Sequence, residues 1–323
     1  MGMSILVSLS GDGWRNLAVE DYLMDHLGPD DAVIYFFVNE NAVIIGRNQN
    51  PWAECRLGQM EADGVQLVRR TSGGGAVYHD RGNLNYSFVM GSEHYDLHKQ
   101  LELILTSVRA MGIPCEFSGR NDILADGRKF SGTAFCDRGK VKLHHGTLLV
   151  NADLEKLQRY LNVDASKLAS KGIRSVRSRV CNLNEFNPDI SVSIMLNELT
   201  NACKNAYDGC NRIGMDDIES EELERYVAKH SSDEWRLGKT PRFDYEAACR
   251  FPWGSVQLLL RLKGGIVESL DVYSDANDVL LAEQIGDRLQ GTAFNSSALA
   301  HALRNTGDSR LDELAGYLMT LDL

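Results

Sequence analysis

The sequence predicts an α/β chain of the α+β type, arranged as two domains. The chain has 323 residues, and at about 100–200 residues per domain that length suggests two. Segments with helical spacing of apolar residues are interleaved with β-rich runs along the whole chain. The character of the sequence also changes near residue 243, after a polar stretch.

Between residues 14 and 27, Trp14, Leu17, Ala18, Leu23, Met24 and Leu27 share one helical face. The runs 32–38 and 42–46 read as strands around the turn-like Asn39-Glu40-Asn41. Residues 65–71 form another strand that runs straight into Ser72-Gly73-Gly74-Gly75. A helix over 97–111 is stopped by Gly112 and Pro114. Asp153 caps a helix carrying Leu154, Leu157 and Leu161, and 191–207 is a further helix. Residues 214–240 are acidic and polar, then carry turn signals around Trp235 and Gly238. The strands 255–262 and 266–273 flank Lys263-Gly264-Gly265, a hairpin signature. Helical patterns at 278–290, 297–304 and 310–320 close the chain. The boundary near 243 divides it into domains 1–243 and 244–323.

Composition narrows the function classes. Hydrophobic residues make up 43% and charged residues 24%, which suits a soluble globular protein. The seven cysteines are scattered, with no C-x-x-C for a zinc ribbon or thioredoxin-type motif. Reduced thiols in a cytoplasmic compartment are the simplest expectation. The start of the chain lacks a basic n-region, and no window holds 18 uninterrupted apolar residues, so neither a secretory signal nor a membrane partner is expected. A net charge of -11 argues against a general nucleic-acid binder. The charge is uneven, since only 6 of the 34 basic residues but 12 of the 45 acidic ones follow residue 243.

Four segments hold candidate chemistry. In Arg69-Arg70-Thr71-Ser72-Gly73-Gly74-Gly75, three glycines after a strand let backbone N–H groups approach an anion, and the arginines add planar donor forks. A tight loop with solvated arginines fits those residues equally well. In 119–134, Asn121-Asp122 reads either as turn chemistry or, with Lys129, as a carboxylate and a cation flanking a short loop. His144 and His145 adjoin on a strand and so face opposite sides, which favours hydrogen bonding over joint chelation. Residues 167–179 carry five positive charges and no acid. Such a loop either closes over an anionic ligand or is a solvated basic face.

Together, RRTSGGGAVYHDRGNLNYSF (69–88), GRNDI (119–123), GRKFSGTAF (127–135), HHGTLL (144–149) and SKGIRSVRSRVCNL (170–183) resemble the lipoate–protein ligase family, as does GRNQNPW (46–52). The resemblance spans roughly 14–190, and the acidic C-terminal segment resembles the accessory domain of the two-domain, bacterial-type ligases. It implies a mixed-sheet catalytic domain related to the biotin ligases, with a small α+β accessory domain. It also implies a two-step reaction, in which lipoate and ATP give lipoyl-AMP and the lipoyl group then passes to a lysine of a lipoyl domain. The implied acceptors are the apo lipoyl domains of 2-oxoacid dehydrogenase E2 subunits and the glycine-cleavage H protein.

By the same resemblance, Lys129 is the catalytic lysine, contacting the acyl carbonyl and the phosphate. Arg70, Ser72, Gly73, Gly74, Gly75, Ala76, Val77 and Tyr78 form the nucleotide- and acyl-binding loop. Asn121 and His145 contact the adenylate, and Asp122 both contributes there and meets Mg²⁺, which usually takes one or two carboxylates plus phosphates. Lys171, Gly172 and Arg177 belong to a loop covering the adenylate. Three alternatives remain open: an octanoyl or lipoyl acyltransferase working through a Cys181 thioester, a biotin ligase, and a non-catalytic binder of lipoyl domains.

Overall fold

The computed structural model describes residues 3–118, 121–162, 180–207, 210–218, 220–238, 243–321 and 323. The chain forms two compact units. One comprises Met1–Ile45, Pro51–Arg70 and Ala76–Arg236, and the other Gly46–Asn50, Thr71–Gly75 and Leu237–Leu323.

In the first unit, β1 (Met3–Val7) leads through α1 (Gly13–His26) to β2 (Ala32–Phe37), which lies parallel to β1. Asp12 caps α1 by accepting from the Trp14 N–H, so the helix starts where the apolar spacing begins. A small sheet follows. Its strands are β3 (Asn41–Ile45), then, after the short helices α2 (Pro51–Glu54) and α3 (Leu57–Ala62), β4 (Gln66–Arg69) and β5 (Val77–Asp80). The order is β4-β3-β5, with β3 parallel to β4 and antiparallel to β5.

The chain then re-enters the main sheet through β6 (Asn83–Gly91), α4 (Leu97–Ala110), β7 (Glu116–Phe117), β8 (Asp122–Ala125), β9 (Arg128–Asp137) and β10 (Val141–Leu149). Next come α5 (Leu154–Tyr160), α6 (Val192–Ala206), β11 (Asn211–Ile213), α7 (Glu221–Ser231) and α8 (Asp233–Leu237). Asp153 and Ser191 cap α5 and α6 through their side chains, the first as the sequence predicts. The eight-stranded sheet runs β11-β1-β2-β6-β10-β9-β8-β7. It is mixed, with β1 parallel to both neighbours and β6, β9 and β10 antiparallel to theirs. Every residue of β2 is buried because both faces are covered. Ile34 and Phe36 pack with Ile104 of α4 and Leu199 of α6, while Val33, Tyr35 and Phe37 pack with Leu17 and Leu23 of α1.

One stretch departs from expectation. Within the stretch read as acidic and polar with turn signals near Trp235, residues 221–231 and 233–237 form helices, and α7 packs on α1. Its fully buried residues are Leu223 and His230, spaced two turns apart, and His230 bonds to the equally buried Asp21 of α1. A helix whose buried stripe is half polar leaves little hydrophobic periodicity to read.

The second unit is an antiparallel meander of β12 (Tyr245–Phe251), β13 (Gly254–Lys263) and β14 (Ile266–Ser274), followed by α9 (Leu280–Leu289), α10 (Ser296–Leu303) and α11 (Ser309–Leu318). Gly264 and Gly265 have φ of 59° and 76°, the left-handed pair that a two-residue hairpin turn requires. Leu258, Leu260, Leu281, Ile285, Leu303 and Leu314 form its core. Two distant segments belong to this unit through backbone bonds. The Ser274 N–H donates to Asn48 O at 2.6 Å and the Gly74 N–H to Ala276 O at 3.1 Å.

Candidate active site

The hairpin β8–β9 sets the central pair. Asp126 and Gly127, with φ of 48° and 69°, make its two-residue turn. Leu124 pairs with Lys129, Ile123 with Ser131 and Asp122 with Gly132, so Phe130 is an extra residue on β9. This β-bulge leaves Phe130 and Ser131 both buried beside Ile123 and sets Gly132 opposite Asp122, on the face that also carries Lys129. Lys129 Nζ lies 2.7 Å from Asp122 Oδ1, and both side chains are partly exposed. Asn121 adjoins them, its carbonyl accepting from the Thr133 N–H at 2.8 Å.

The backbone of Lys129 is fixed from its other edge. Lys129 forms a parallel bridge with Val180, and the Cys181 N–H donates to Lys129 O at 2.9 Å. Cys181 is fully buried, its thiol faces Arg128 O at 3.5 Å, and burial pushes the thiol up to about 11. A protonated, buried thiol is a poor nucleophile. The thioester alternative therefore finds no support at Cys181, which serves as a packing residue.

A second, buried cluster lies further along β9 and β10. Ala134 pairs with His145, and His145 with Ser87 of β6. His145 Nδ1 is 3.0 Å from both oxygens of Glu20, to which the Ser87 hydroxyl also donates. Arg70 is buried on the same side. Desolvation lowers its guanidinium to about 10 and Glu20 opposes that, so the charge persists at neutral pH. Burial, with Arg70 and His145 nearby, lowers His79 to about 3, so this imidazole is neutral. Asn39 Nδ2 is 3.1 Å from His79 Nδ1, which leaves the proton on Nε2, a buried atom with no hydrogen-bond partner among the described residues. His144 points the opposite way, as adjacent strand residues must. It stacks between Phe88 and Phe135, with Nδ1 2.9 Å from Gln100 Oε1.

Glu20, His79, Asn39 and Ser87 belong to this buried cluster and are not among the candidates read from the sequence. Glu20 had a signal, since it interrupts the apolar face of α1 three residues after Leu17 and three before Leu23.

The glycine-rich loop divides between roles. Arg69 does not face the buried cluster, because its guanidinium donates to the carbonyls of Trp235 and Arg236, each at 2.9 Å. Tyr78 is buried, with its hydroxyl donating to Asn41 Oδ1 at 2.9 Å, while Ala76 and Val77 are half-buried. Within the second unit, Ser72 is buried and Gly73 packs against backbone, where a Cβ would lie 2.3 Å from Ala276 O. Gly74 adopts φ 94°, and Gly75 is exposed, with open space where a Cβ would stand. Lys171, Gly172 and Arg177 lie outside the described residues.

Comparison with known proteins gives concordant matches. Residues 12–204 match the family model of the lipoyl protein ligase A/B catalytic domain, and 240–314 match the bacterial lipoate protein ligase C-terminus. Lipoate-protein ligase A of Psychrobacter cryohalolentis is 38% identical over 304 residues, covering 91% of this chain and 90% of that one. Among solved structures, P. falciparum LipL1 in complex with lipoate superposes with a TM-score of 0.86 at 26% identity, over 99% of this chain and all of that one. A lipoate-protein ligase A bound with ATP gives a TM-score of 0.62 at 28% identity, over 74% of this chain and 99% of that one. A structure from the analysis of a bi-partite lipoate protein ligase and its E2 lipoyl domain from Thermoplasma acidophilum gives 0.65 at 28% identity, over 75% of this chain and 98% of that one.

Proposed function

The chain belongs to the lipoate–protein ligase A family, and from that premise we propose how its residues carry out ATP-dependent lipoate ligation. The protein is a ligase that joins lipoate to protein through an amide at the expense of ATP. In the proposed first step a lipoate carboxylate oxygen attacks the α-phosphorus, and the bond to pyrophosphate breaks. In the second, an acceptor lysine amine attacks the acyl carbonyl, and AMP leaves as the amide forms.

Both steps build negative charge on oxygen, and a preorganised cation lowers such barriers. The observation that carries the assignment is the Lys129–Asp122 pair, an ammonium held 2.7 Å from one carboxylate, with both side chains partly exposed. Lys129 is open enough to meet a ligand, and Asp122 fixes its position beforehand. Arg70 supports the reading as a buried cation able to bind a carboxylate or phosphate. Asn121, His145 and the backbone of 72–78 complete the proposed adenylate contacts. His79, with its unpaired Nε2–H, is added to them.

Mg²⁺ fits Asp122 as a single protein ligand, because this ion keeps most of its shell from water and phosphates. When bound, Mg²⁺ would offset triphosphate charge. The proposed acceptors are apo lipoyl domains of E2 subunits and of the glycine-cleavage H protein. All seven cysteines are free, which supports a reducing, cytoplasmic location, and no helix among the described residues is long and apolar enough to cross a membrane.

ATP–pyrophosphate exchange with lipoate, octanoate and biotin in parallel tests this reading. Lipoate-dependent exchange is expected, together with its loss in a folded Lys129→Ala variant. Undiminished exchange by that variant would refute the role given to Lys129.

A further inference from the structure

Of the paired arginines, the proposed chemistry uses only Arg70. Arg69 closes a different arrangement at the end of β4. Among the described residues this strand pairs with β3 on one side only, and the Arg70 N–H donates to Ile45 O at 3.0 Å across that side. In a parallel pair alternate residues face the partner, so the carbonyls of Leu67 and Arg69 project from the free edge. Each accepts an indole N–H, from Trp14 at 2.8 Å and from Trp235 at 2.8 Å. Two tryptophans thus stand in for the missing neighbouring strand.

The second of these contacts is reciprocal. Trp235 donates to Arg69 O, while Arg69 Nε donates back to Trp235 O and Nη2 to Arg236 O. The guanidinium fork thereby supplies donors to carbonyls in the last turn of α8, where the ends of a helix need partners. Trp235 is braced on its other face by Lys229, whose Nζ stands 4.4 Å from the ring centroid.

These bonds meet on one peptide group. The carbonyl of Arg69 and the N–H of Arg70 belong to the same plane, with Trp235 holding one side and Ile45 the other. Rotation of that plane sets where Arg70 leaves the strand. We propose that Arg69 and Trp235 are positioning residues for Arg70, locking the peptide from which its buried guanidinium and the glycine-rich loop project. The inference rests on Arg70 binding the ligand. It adds that Arg70 depends on a clamp formed by residues outside the proposed ligand contacts.

Two variants separate the clamp from general packing. Trp235→Phe keeps the ring and removes the N–H, and Arg69→Lys keeps the charge and removes the fork. Calorimetric dissociation constants for ATP are compared in these proteins, in Arg70→Ala, and in the double variants that combine each with Arg70→Ala. Each clamp variant is expected to melt within a few degrees of wild type and to bind ATP about tenfold more weakly. In the Arg70→Ala background the same substitutions are expected to change affinity by less than twofold, because the group they position is gone. Wild-type affinity in both clamp variants, full additivity with Arg70→Ala, or global unfolding of both would overturn the proposal. A wild-type protein without lipoate-dependent pyrophosphate exchange would instead overturn the functional reading beneath it.

Discussion

Gly132 pairs directly with Asp122 across the β8–β9 hairpin, and a Cβ on Gly132 would stand 2.9 Å from Lys129 Nζ. The ammonium reaches its carboxylate by lying over a residue without a side chain. Gly132→Ala is therefore expected to push Nζ away from Asp122 while leaving the strand intact, since the displaced atom ends a flexible chain. A misplacement of about 1 Å at a catalytic group costs roughly 100-fold in rate. Pyrophosphate exchange should fall by about one to two orders of magnitude with little change in melting temperature. Full activity in this variant would mean that Lys129 works from a different seat.

Cys181→Ala should leave activity per folded molecule unchanged. The thiol is buried in the core and held near 11, so it stays protonated at neutral pH. Losing a small buried group costs about 1 kcal/mol of stability, read as a lower urea midpoint. Mass spectrometry of the wild type after incubation with lipoate and MgATP should find no acyl group on Cys181, and finding one would revive the thioester route.

Asp21 should govern stability in acid. Its buried carboxylate faces Lys229 Nζ at 2.6 Å, His230 Nε2 at 3.1 Å and the Arg138 guanidinium. Burial alone would raise its carboxyl, but these partners more than offset that and hold it well below the usual range. The group is ionised in the folded state where the unfolded chain, with a pKa near ~3.9, would take up a proton. Its contribution is thus complete above about pH 4 and is lost as pH falls below that. Asp21→Asn should cost about 3 kcal/mol at pH 7 and flatten the acid limb of a urea-stability profile. An unchanged limb would place the acid sensitivity elsewhere.

These cases mark what could be read in the sequence. Local chemistry was legible, as with the hairpin at Gly264-Gly265, the Asp153 cap and the opposed faces of His144 and His145. Buried polar pairs were not, because hydrophobic spacing is blind to them. Glu20, Asp21 and His230 occupy interior positions of α1 and α7 that a periodicity argument passes over. Register was hidden as well, since Gly132, and not Ser131, stands opposite Asp122 only because Phe130 is an extra residue in the ladder. Adjacent arginines also look alike in a string, and only long-range contacts reveal that Arg69 serves Trp235 while Arg70 turns inward.

The three consecutive glycines should prove unequal for the same long-range reason. A Cβ at Gly73 would meet Ala276 O at 2.3 Å and Asn277 O at 2.5 Å, both backbone atoms that cannot swing aside. Gly74 has φ 94°, strained for any other residue, and its N–H is bonded to Ala276 O. A Cβ at Gly75 would have nothing within 4 Å, and the residue has no positive φ. Gly73→Ala and Gly74→Ala are thus expected to lower the melting temperature as well as exchange activity, by distorting the loop itself. Gly75→Ala should leave the melting temperature unchanged, so any rise in its KM for ATP or lipoate reports close approach of ligand to that residue. Equal melting temperatures in Gly73→Ala and Gly75→Ala would show that the loop does not depend on its contact with residues 276–277.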